Sequence, residues 1–136
     1  MLIDTNILIY SLNADSPKYA AAQNFLKKHK EDLEITHQNI LEAIRILTHT
    51  KFPDPMDPKQ AVEAILKIAE SGRIISPNFR TVLVSLEFTK KHSLVGNRIF
   101  DAYLAATALT NGVDVIATDN VKDFQKFPIK IINPFA

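Results

Sequence analysis

The chain has 136 residues, 46% of them hydrophobic and 23% charged, and a formal net charge of +1. This length suits one domain, spanning residues 1–136, and the hydrophobic content excludes a disordered protein. A net charge near zero provides no overall attraction to nucleic acid, so any basic surface must be local.

Cysteine and membrane signals are both absent from the sequence. Without cysteine there are no disulfides or thiolate metal sites, which is consistent with a reducing compartment. No apolar stretch approaches the ~20 residues that span a bilayer, and no charged segment precedes the first apolar run as in a signal peptide. We therefore expect a cytoplasmic protein with no membrane interaction.

Five short apolar runs predict β-strands. They are nearly continuous in apolar residues, which is typical of parallel strands covered on both faces. The predicted strands are Leu2–Asp4, Leu33–Thr36, Arg73–Ser76, Val113–Thr118 and Lys130–Ile132. Longer stretches of helical period separate them, so the sequence predicts an α/β fold with a mostly parallel sheet.

The stretch "SPKYAAAQNFLKK", between the first and second strands, predicts a helix. Ser16 and Pro17 stand at its start, and Ala22, Phe25 and Leu26 form an apolar stripe. Further helices are predicted directly after the first and second strands. The Pro-rich stretch "THTKFPDPMDP" is predicted to be a loop between helices.

The stretch "DPKQ" is a strong helix start. Asp57 is suited to the N-cap, Pro58 to the first helical position and Gln60 to the capping box. The apolar stripe that follows consists of Val62, Ile65, Leu66 and Ala69. Ser71-Gly72 then ends the helix.

Two more helices are predicted in the C-terminal half. One is marked by four apolar residues at helical spacing: Phe79, Val82, Leu83 and Leu86. The other begins at about Arg98 and ends at Asn111-Gly112.

Four acidic residues interrupt apolar stretches, and aspartate and glutamate are rarely buried without compensation. Asp4 and Asp119 follow predicted strands, while Glu42 and Asp101 lie on predicted helices. Ligands of open α/β sheets bind beyond the carboxyl ends of the strands. The four acids can therefore meet at one edge of the sheet.

Each acid also has a purely structural interpretation. Asp4 is equally suited to cap the following helix, and Glu42 taken alone is better explained by an i,i+3 ion pair with Arg45. Asp101 is flanked by apolar residues of its helix face, so a functional role is favoured, with Arg98 as its structural partner.

Four carboxylates in one cleft repel each other, and a hard divalent cation relieves that repulsion. Mg²⁺ or Mn²⁺ prefers such oxygen ligands. The chemistry that these residues indicate is metal-assisted hydrolysis of a phosphodiester.

The stretches "LIDTNILIY", "ITHQNILEAIRIL", "NRIFDAYLAATAL" and "VIATDNVKDF", with the closing "IINPFA", resemble the PIN-domain ribonucleases and most closely the VapC-type toxins. The resemblance covers essentially the whole chain. It implies a three-layer α/β/α sandwich around a five-stranded parallel sheet. It also implies Mg²⁺- or Mn²⁺-dependent endonucleolytic cleavage of RNA.

By position, the resemblance makes Asp4, Glu42 and Asp101 the first three acids, with Asp4 and Asp101 as the principal metal ligands. It implies that three neighbours support the site: Thr5, Asn6 and Thr118. Asp119 stands one position before the family's fourth acidic slot, which holds Asn120. Asp119 through water, Asn120 or Asp123 would complete the site, and the number of metal ions stays open.

VapC-type toxins are usually homodimers bound by an antitoxin whose C-terminal segment fills the active-site groove, so the resemblance implies both partners. Several basic residues flank the motifs and are candidates for RNA phosphate contacts: Arg45, Lys51, Arg98, Lys122 and Lys126. Each of them is also explained as a solvated charge. His37 and His49 are better explained as structural residues than as ligands.

Competing families lack their required residues. A receiver domain needs an acid pair after the first strand, and a haloacid-type phosphatase needs an acid where Asn6 stands. The three glycines are too isolated for a phosphate-binding loop. The remaining alternative is a catalytically inactive PIN-like module that binds RNA or protein.

Overall fold

A computed structural model describes residues 1–136 and contains one five-stranded parallel sheet. The strand order is β3-β2-β1-β4-β5, so the first strand is central. The strands are β1 (Leu2–Ile3), β2 (Glu34–Thr36), β3 (Arg73–Ile75), β4 (Val115–Ala117) and β5 (Lys130–Ile132). The five predicted strands are confirmed, although all but the last are shorter than predicted.

Seven helices connect and cover the strands. They are α1 (Thr5–Leu12), α2 (Tyr19–Lys28), α3 (His37–Leu47), α4 (Pro58–Ala69), α5 (Thr81–Lys91), α6 (Arg98–Thr110) and α7 (Val121–Phe124). None of them is long and apolar enough to cross a membrane.

Two hydrophobic clusters lie on opposite faces of the sheet, because successive strand residues point to opposite sides. Ile3 packs into the cluster that contains residues of α1 to α4, whereas Leu2 packs into the cluster with α6 and α7. The expected three-layer α/β/α sandwich, with its PIN-like strand order, is therefore confirmed.

The start of α2 differs from the prediction. The helix begins at Tyr19, and no side chain caps it. Ser16 instead accepts a hydrogen bond from the Lys18 backbone N–H at 3.1 Å through its hydroxyl, and one from the Tyr19 backbone N–H at 3.1 Å through its carbonyl. Ser16 and Pro17 therefore belong to a turn that precedes the helix.

The capping box of α4 forms as predicted, but the buried stripe of this helix is shifted. Asp57 accepts a hydrogen bond from the backbone of Gln60 at 2.9 Å, and the Gln60 side chain accepts one from the backbone of Asp57 at 3.1 Å. Of the predicted stripe, Val62 and Leu66 are exposed. The buried residues of α4 are Ala61, Ile65 and Ala69.

The first two turns of α5 expose three large apolar side chains, Val82, Leu83 and Leu86, while Phe88 near its end packs against the core. The buried residues of α5 are the small polar Thr81 and Ser85, and the Thr81 hydroxyl lies 2.7 Å from that of Thr110 on α6. Small side chains permit close approach of the two helices, which leaves the bulky residues no room on this side. The predicted marker residues are all exposed: Phe79, Val82, Leu83 and Leu86.

Gly72 is required by close packing rather than by its backbone angle. A Cβ at this position would lie 2.4 Å from the carbonyl oxygen of Leu33, next to β2. Gly112 has φ +74°, a left-handed conformation, and follows the C-cap of α6 as predicted.

Candidate active site

The sheet places Asp4 and Thr118 side by side at the carboxyl edge. Ile3 pairs with Ala117, and the Asp4 backbone N–H donates to the Ala117 carbonyl at 3.0 Å. The chain leaves β1 toward β2 on one side, while β4 leads to β5 on the other. This switch in strand order opens the crevice in which ligands of α/β sheets bind.

Asp4 is a buried carboxylate that three neighbours hold. Its Oδ1 accepts a hydrogen bond from the Thr5 backbone N–H at 2.8 Å, so Asp4 does cap α1. Its Oδ2 accepts from the Thr118 hydroxyl at 2.7 Å and from the Asn6 amide at 3.3 Å. The capping and functional interpretations of Asp4 are therefore compatible.

The surroundings of Asp4 oppose its ionisation. The pKa of Asp4 is raised from 3.8 to about 6, chiefly by burial and to a smaller extent by the nearby charges of Glu42 and Asp101, while hydrogen bonds from Thr118 and Thr5 act in the opposite direction. The protein supplies no cation to this side chain. A metal ion would relieve both the burial of the charge and the repulsion.

Glu42 projects from α3 toward the start of α1. Its Oε2 accepts a hydrogen bond from the Thr5 hydroxyl at 3.0 Å, and its Oε1 accepts one from the Gln38 amide at 3.1 Å. Asn39 donates to the Thr5 hydroxyl at 3.1 Å, which completes a chain from α3 to α1 and back. The alternative ion pair with Arg45 does not form, because both Glu42 oxygens have other donors.

Asp101 lies in the first turn of α6, half-buried, and Arg98 donates to it at 3.3 Å. This pair confirms the predicted structural partner. Arg98 also forms an ion pair with Asp123. Partial burial raises the pKa of Asp101, and the Arg98 guanidinium lowers it.

Asp119 and Asn120, two candidates for the fourth acidic position of the site, have different surroundings. Asp119 forms an ion pair with Lys18 and accepts a hydrogen bond from the Tyr10 hydroxyl at 3.1 Å. Asn120 instead lines the cavity beside the acids, and its backbone N–H donates to the Thr118 hydroxyl at 2.9 Å. Asp119 is not among the residues that line this cavity, although its partner Tyr10 is, and its contribution to a metal site through water stays a prediction.

One cavity of about 320 Å³ contains three of the four predicted acids. Asp4, Glu42 and Asp101 line it together with Thr5, Asn6, Asn120 and apolar residues of α1 and α3. No three His, Cys, Asp or Glu side chains converge closely enough to bind one ion together. Mg²⁺ is commonly held by one or two carboxylates and several waters, so this hard oxygen donor set fits a hydrated ion.

The predicted basic residues differ in their exposure and in their partners. Arg45 and Lys122 are exposed and form no ion pair, whereas Arg98 is committed to Asp101 and Asp123. Lys51 is also exposed.

Several residues that shape the site were missed at the level of sequence. Asn39 had a usable signal, because it stands at the third helical position after Thr36 and completes a capping box. Lys18 and Tyr10 had none, because their partner Asp119 is about a hundred residues away and only the fold brings them together.

Comparison with known proteins agrees with this architecture. The family model of the PIN domain matches residues 1–130. Ribonuclease VapC24 of Mycobacterium tuberculosis is 32% identical over 132 residues, which cover 92% of this chain and 89% of the relative. VapC ribonuclease Mb2897 of Mycobacterium bovis is 28% identical over 134 residues, which cover 93% of this chain and 89% of the relative.

Solved structures share the fold. VapBC-1 from nontypeable Haemophilus influenzae superposes with a TM-score of 0.72 at 21% identity, covering 99% of this chain and 98% of that one. FitAcB from Neisseria gonorrhoeae superposes with a TM-score of 0.72 at 20% identity, and the match covers 98% of this chain and 97% of that one. The chain therefore belongs to the PIN-domain family and, within it, to the VapC-type ribonucleases.

Proposed function

We propose that this protein is a Mg²⁺- or Mn²⁺-dependent endoribonuclease that hydrolyses RNA phosphodiester bonds as the toxin of a toxin–antitoxin pair. The observation that carries the proposal is the buried carboxylate of Asp4, which shares a cavity with Glu42 and Asp101 and has no cation from the protein. The names of the VapC relatives support the same activity.

In this proposal Asp4 and Asp101 hold the metal, and Glu42 and Asn120 complete its hydrated shell. The bound ion supplies charge neutralisation at the phosphate and a lowered pKa of water. Thr118, through its hydrogen bond to Asp4, keeps one carboxylate oxygen fixed in the cavity.

The role of Glu42 follows from its donors. Thr5 and Gln38 orient its two oxygens, and this fixed carboxylate is placed to accept a proton from the attacking water. The water oxygen bonds to phosphorus while the bond to the ribose 3′ oxygen breaks. The expected products carry a 5′-phosphate and a 3′-hydroxyl.

The partners in this proposal are an antitoxin, RNA and a second copy of the chain in the cytoplasm. The structural relatives include VapBC structures and a toxin–antitoxin complex, which supports an antitoxin partner. In this proposal the C-terminal segment of the antitoxin covers the acidic cavity. Arg45 and Lys122 are free to contact RNA phosphates, while Arg98 would first have to release Asp101. The exposed apolar face of α5 supports a homodimer.

The inactive PIN-like module is not favoured, because three acids in one cavity are retained with hydrogen bonds that fix two of them. No observation calls for this alternative.

The direct test is cleavage of end-labelled RNA by purified protein with Mg²⁺, Mn²⁺ or EDTA. Asp101→Asn should abolish cleavage and leave the fold intact. The matched control is Asp114→Asn, which changes an exposed acid before β4 and should cleave like wild type. Equal cleavage by wild type and Asp101→Asn would indicate a contaminating nuclease and contradict the proposal.

A further inference from the structure

A second cavity, of about 590 Å³, adjoins the acids between α3 and α6. Glu42 lines both cavities, so the two are continuous across this side chain. The volume lies within the usual range for small-ligand sites, roughly 300–1,000 Å³. The roles proposed above use Gln38, Glu42 and Arg45 from its lining, but none of them fills the cavity itself.

Aromatic and apolar side chains form one part of its wall. Phe100 and Tyr103 contribute from α6, and Leu41 contributes from α3. Phe100 is 58% exposed and Leu41 is 68% exposed, so neither is committed to the core. Phe100 directly precedes Asp101, so one turn of α6 presents an acid to one cavity and an aromatic ring to the next.

Polar groups without partners form another part of the wall. The Gln38 amide donates to Glu42 and to the Phe100 carbonyl, but its Oε1 is buried and accepts no hydrogen bond. Asn97 and Arg45 are exposed; the Asn97 side chain does not cap α6, and the Arg45 guanidinium forms no ion pair, so both are free to bind a ligand. A buried acceptor without a donor is unusual and indicates a group that a ligand can satisfy.

This combination suits a nucleobase attached to a phosphate. Bases stack on aromatic side chains, amides of Asn and Gln hydrogen-bond to base edges, and arginine binds phosphate. The only acid in the wall is Glu42, whose two oxygens accept hydrogen bonds from Thr5 and Gln38. The Arg45 guanidinium supplies the positive charge that a phosphate needs beside it.

We propose that the cavity between α3 and α6 binds the base of the nucleotide next to the scissile phosphodiester, stacked on Phe100, with Gln38 and Asn97 at its edge and Arg45 at a neighbouring phosphate. This inference rests on the proposed ribonuclease function for the position of the scissile phosphate. It makes Phe100 a determinant of where the chain cuts RNA.

The test uses short single-stranded RNAs that carry 2-aminopurine at one position at a time, bound in EDTA so that no cleavage occurs. The fluorescence of this base falls when it stacks. Wild type should quench one position strongly, and Phe100→Leu should abolish that quenching and weaken binding about tenfold. Phe100→Tyr retains an aromatic ring and should behave like wild type.

Cleavage assays separate this inference from the function on which it rests. If wild type cuts RNA in Mg²⁺ while Phe100→Leu matches it in quenching, affinity and cut position, the base site is refuted and the nuclease stands. If wild type never cuts but Phe100-dependent quenching persists, the base site stands and the nuclease fails. Loss of antitoxin binding by Phe100→Leu with unchanged RNA binding would assign the cavity to a protein partner and overturn the proposal.

Discussion

Asp4 stabilises the fold as the N-cap of α1, but the burial of its charge destabilises the fold. It caps α1, yet its burial raises its pKa from 3.8 to about 6. The folded state therefore holds the proton more tightly than the unfolded state. Below pH 3.8 Asp4 is protonated in both states and costs no stability. As pH rises from about 4 to about 6 the unfolded state loses its proton first, so the free energy of unfolding falls by at most about 3 kcal/mol.

We therefore predict that Asp4→Asn stabilises the metal-free protein at neutral pH. The free energy of unfolding should rise by about 1–2 kcal/mol, because the variant removes a buried charge, and the gain should shrink near pH 4. Thermal melts in EDTA across this pH range provide the measurement. A gain that does not change with pH would contradict the assigned pKa.

The effect of added metal on the melting temperature tests the same carboxylate. Mg²⁺ or Mn²⁺ should raise the melting temperature of wild type, because an ion that binds only the folded state stabilises it. Asp4→Asn should lose this response together with cleavage.

The residues after β4 make a second residue-scale prediction. Asn120 lines the acidic cavity, whereas the Asp119 carboxylate is paired with Lys18 and Tyr10. Asn120→Asp should therefore tighten Mn²⁺ binding by about tenfold, since it adds a carboxylate to the site. Asp119→Asn should change the affinity little. Calorimetric titration measures both, and a loss with Asp119→Asn as large as that with Asp4→Asn would identify Asp119 as the fourth acid.

At the scale of elements, the start of α3 is linked to the acids. Asn39 closes the capping box with Thr36 and also donates to Thr5, which in turn orients Glu42. The packing of α3 against α1 is thus coupled to the position of a catalytic candidate.

We predict that Asn39→Ala reduces both stability and cleavage. The free energy of unfolding should fall by about 1–3 kcal/mol, because a buried hydrogen-bonded amide is lost. The matched control is Gln60→Ala, which disrupts the equivalent capping box of α4 away from the acids. That variant should lose about 1 kcal/mol and keep its kcat. Denaturant unfolding and cleavage kinetics test both, and an unchanged kcat in Asn39→Ala would contradict the link.

At the scale of the whole molecule, α5 has an apolar face that the single chain leaves open. Val82, Leu83 and Leu86 are each about half exposed, and contiguous apolar surface of this kind marks association sites. We predict that Leu83→Asp converts a dimer into a monomer, as measured by light scattering. Leu66→Asp changes a comparably exposed leucine on α4 and should remain dimeric. A monomeric wild type, or two variants that behave alike, would contradict a dimer through α5.

Local signals in the sequence were sufficient for the elements. The capping box at Asp57 and the apolar runs depend on neighbours in the chain, so they predicted α4 and the five strands. Acids at strand ends likewise indicated Asp4 and the crevice, because parallel strands share one carboxyl edge. The apolar face around Asp101 indicated a functional acid, and the family resemblance then favoured Glu42 over its simple ion-pair interpretation.

Only the tertiary structure decided which side of a helix is buried and which acid meets which partner. The apolar spacing of α5 is the same whether its bulky side faces the core or solvent, and contact between Thr81 and Thr110 settles it. The partners of Asp119, Lys18 and Tyr10, lie far from it in the chain, so only the fold shows that its carboxylate is paired with them. Sequence therefore determined the elements, whose interactions are local, while the orientation of faces and carboxylates depends on long-range packing that periodicity does not encode.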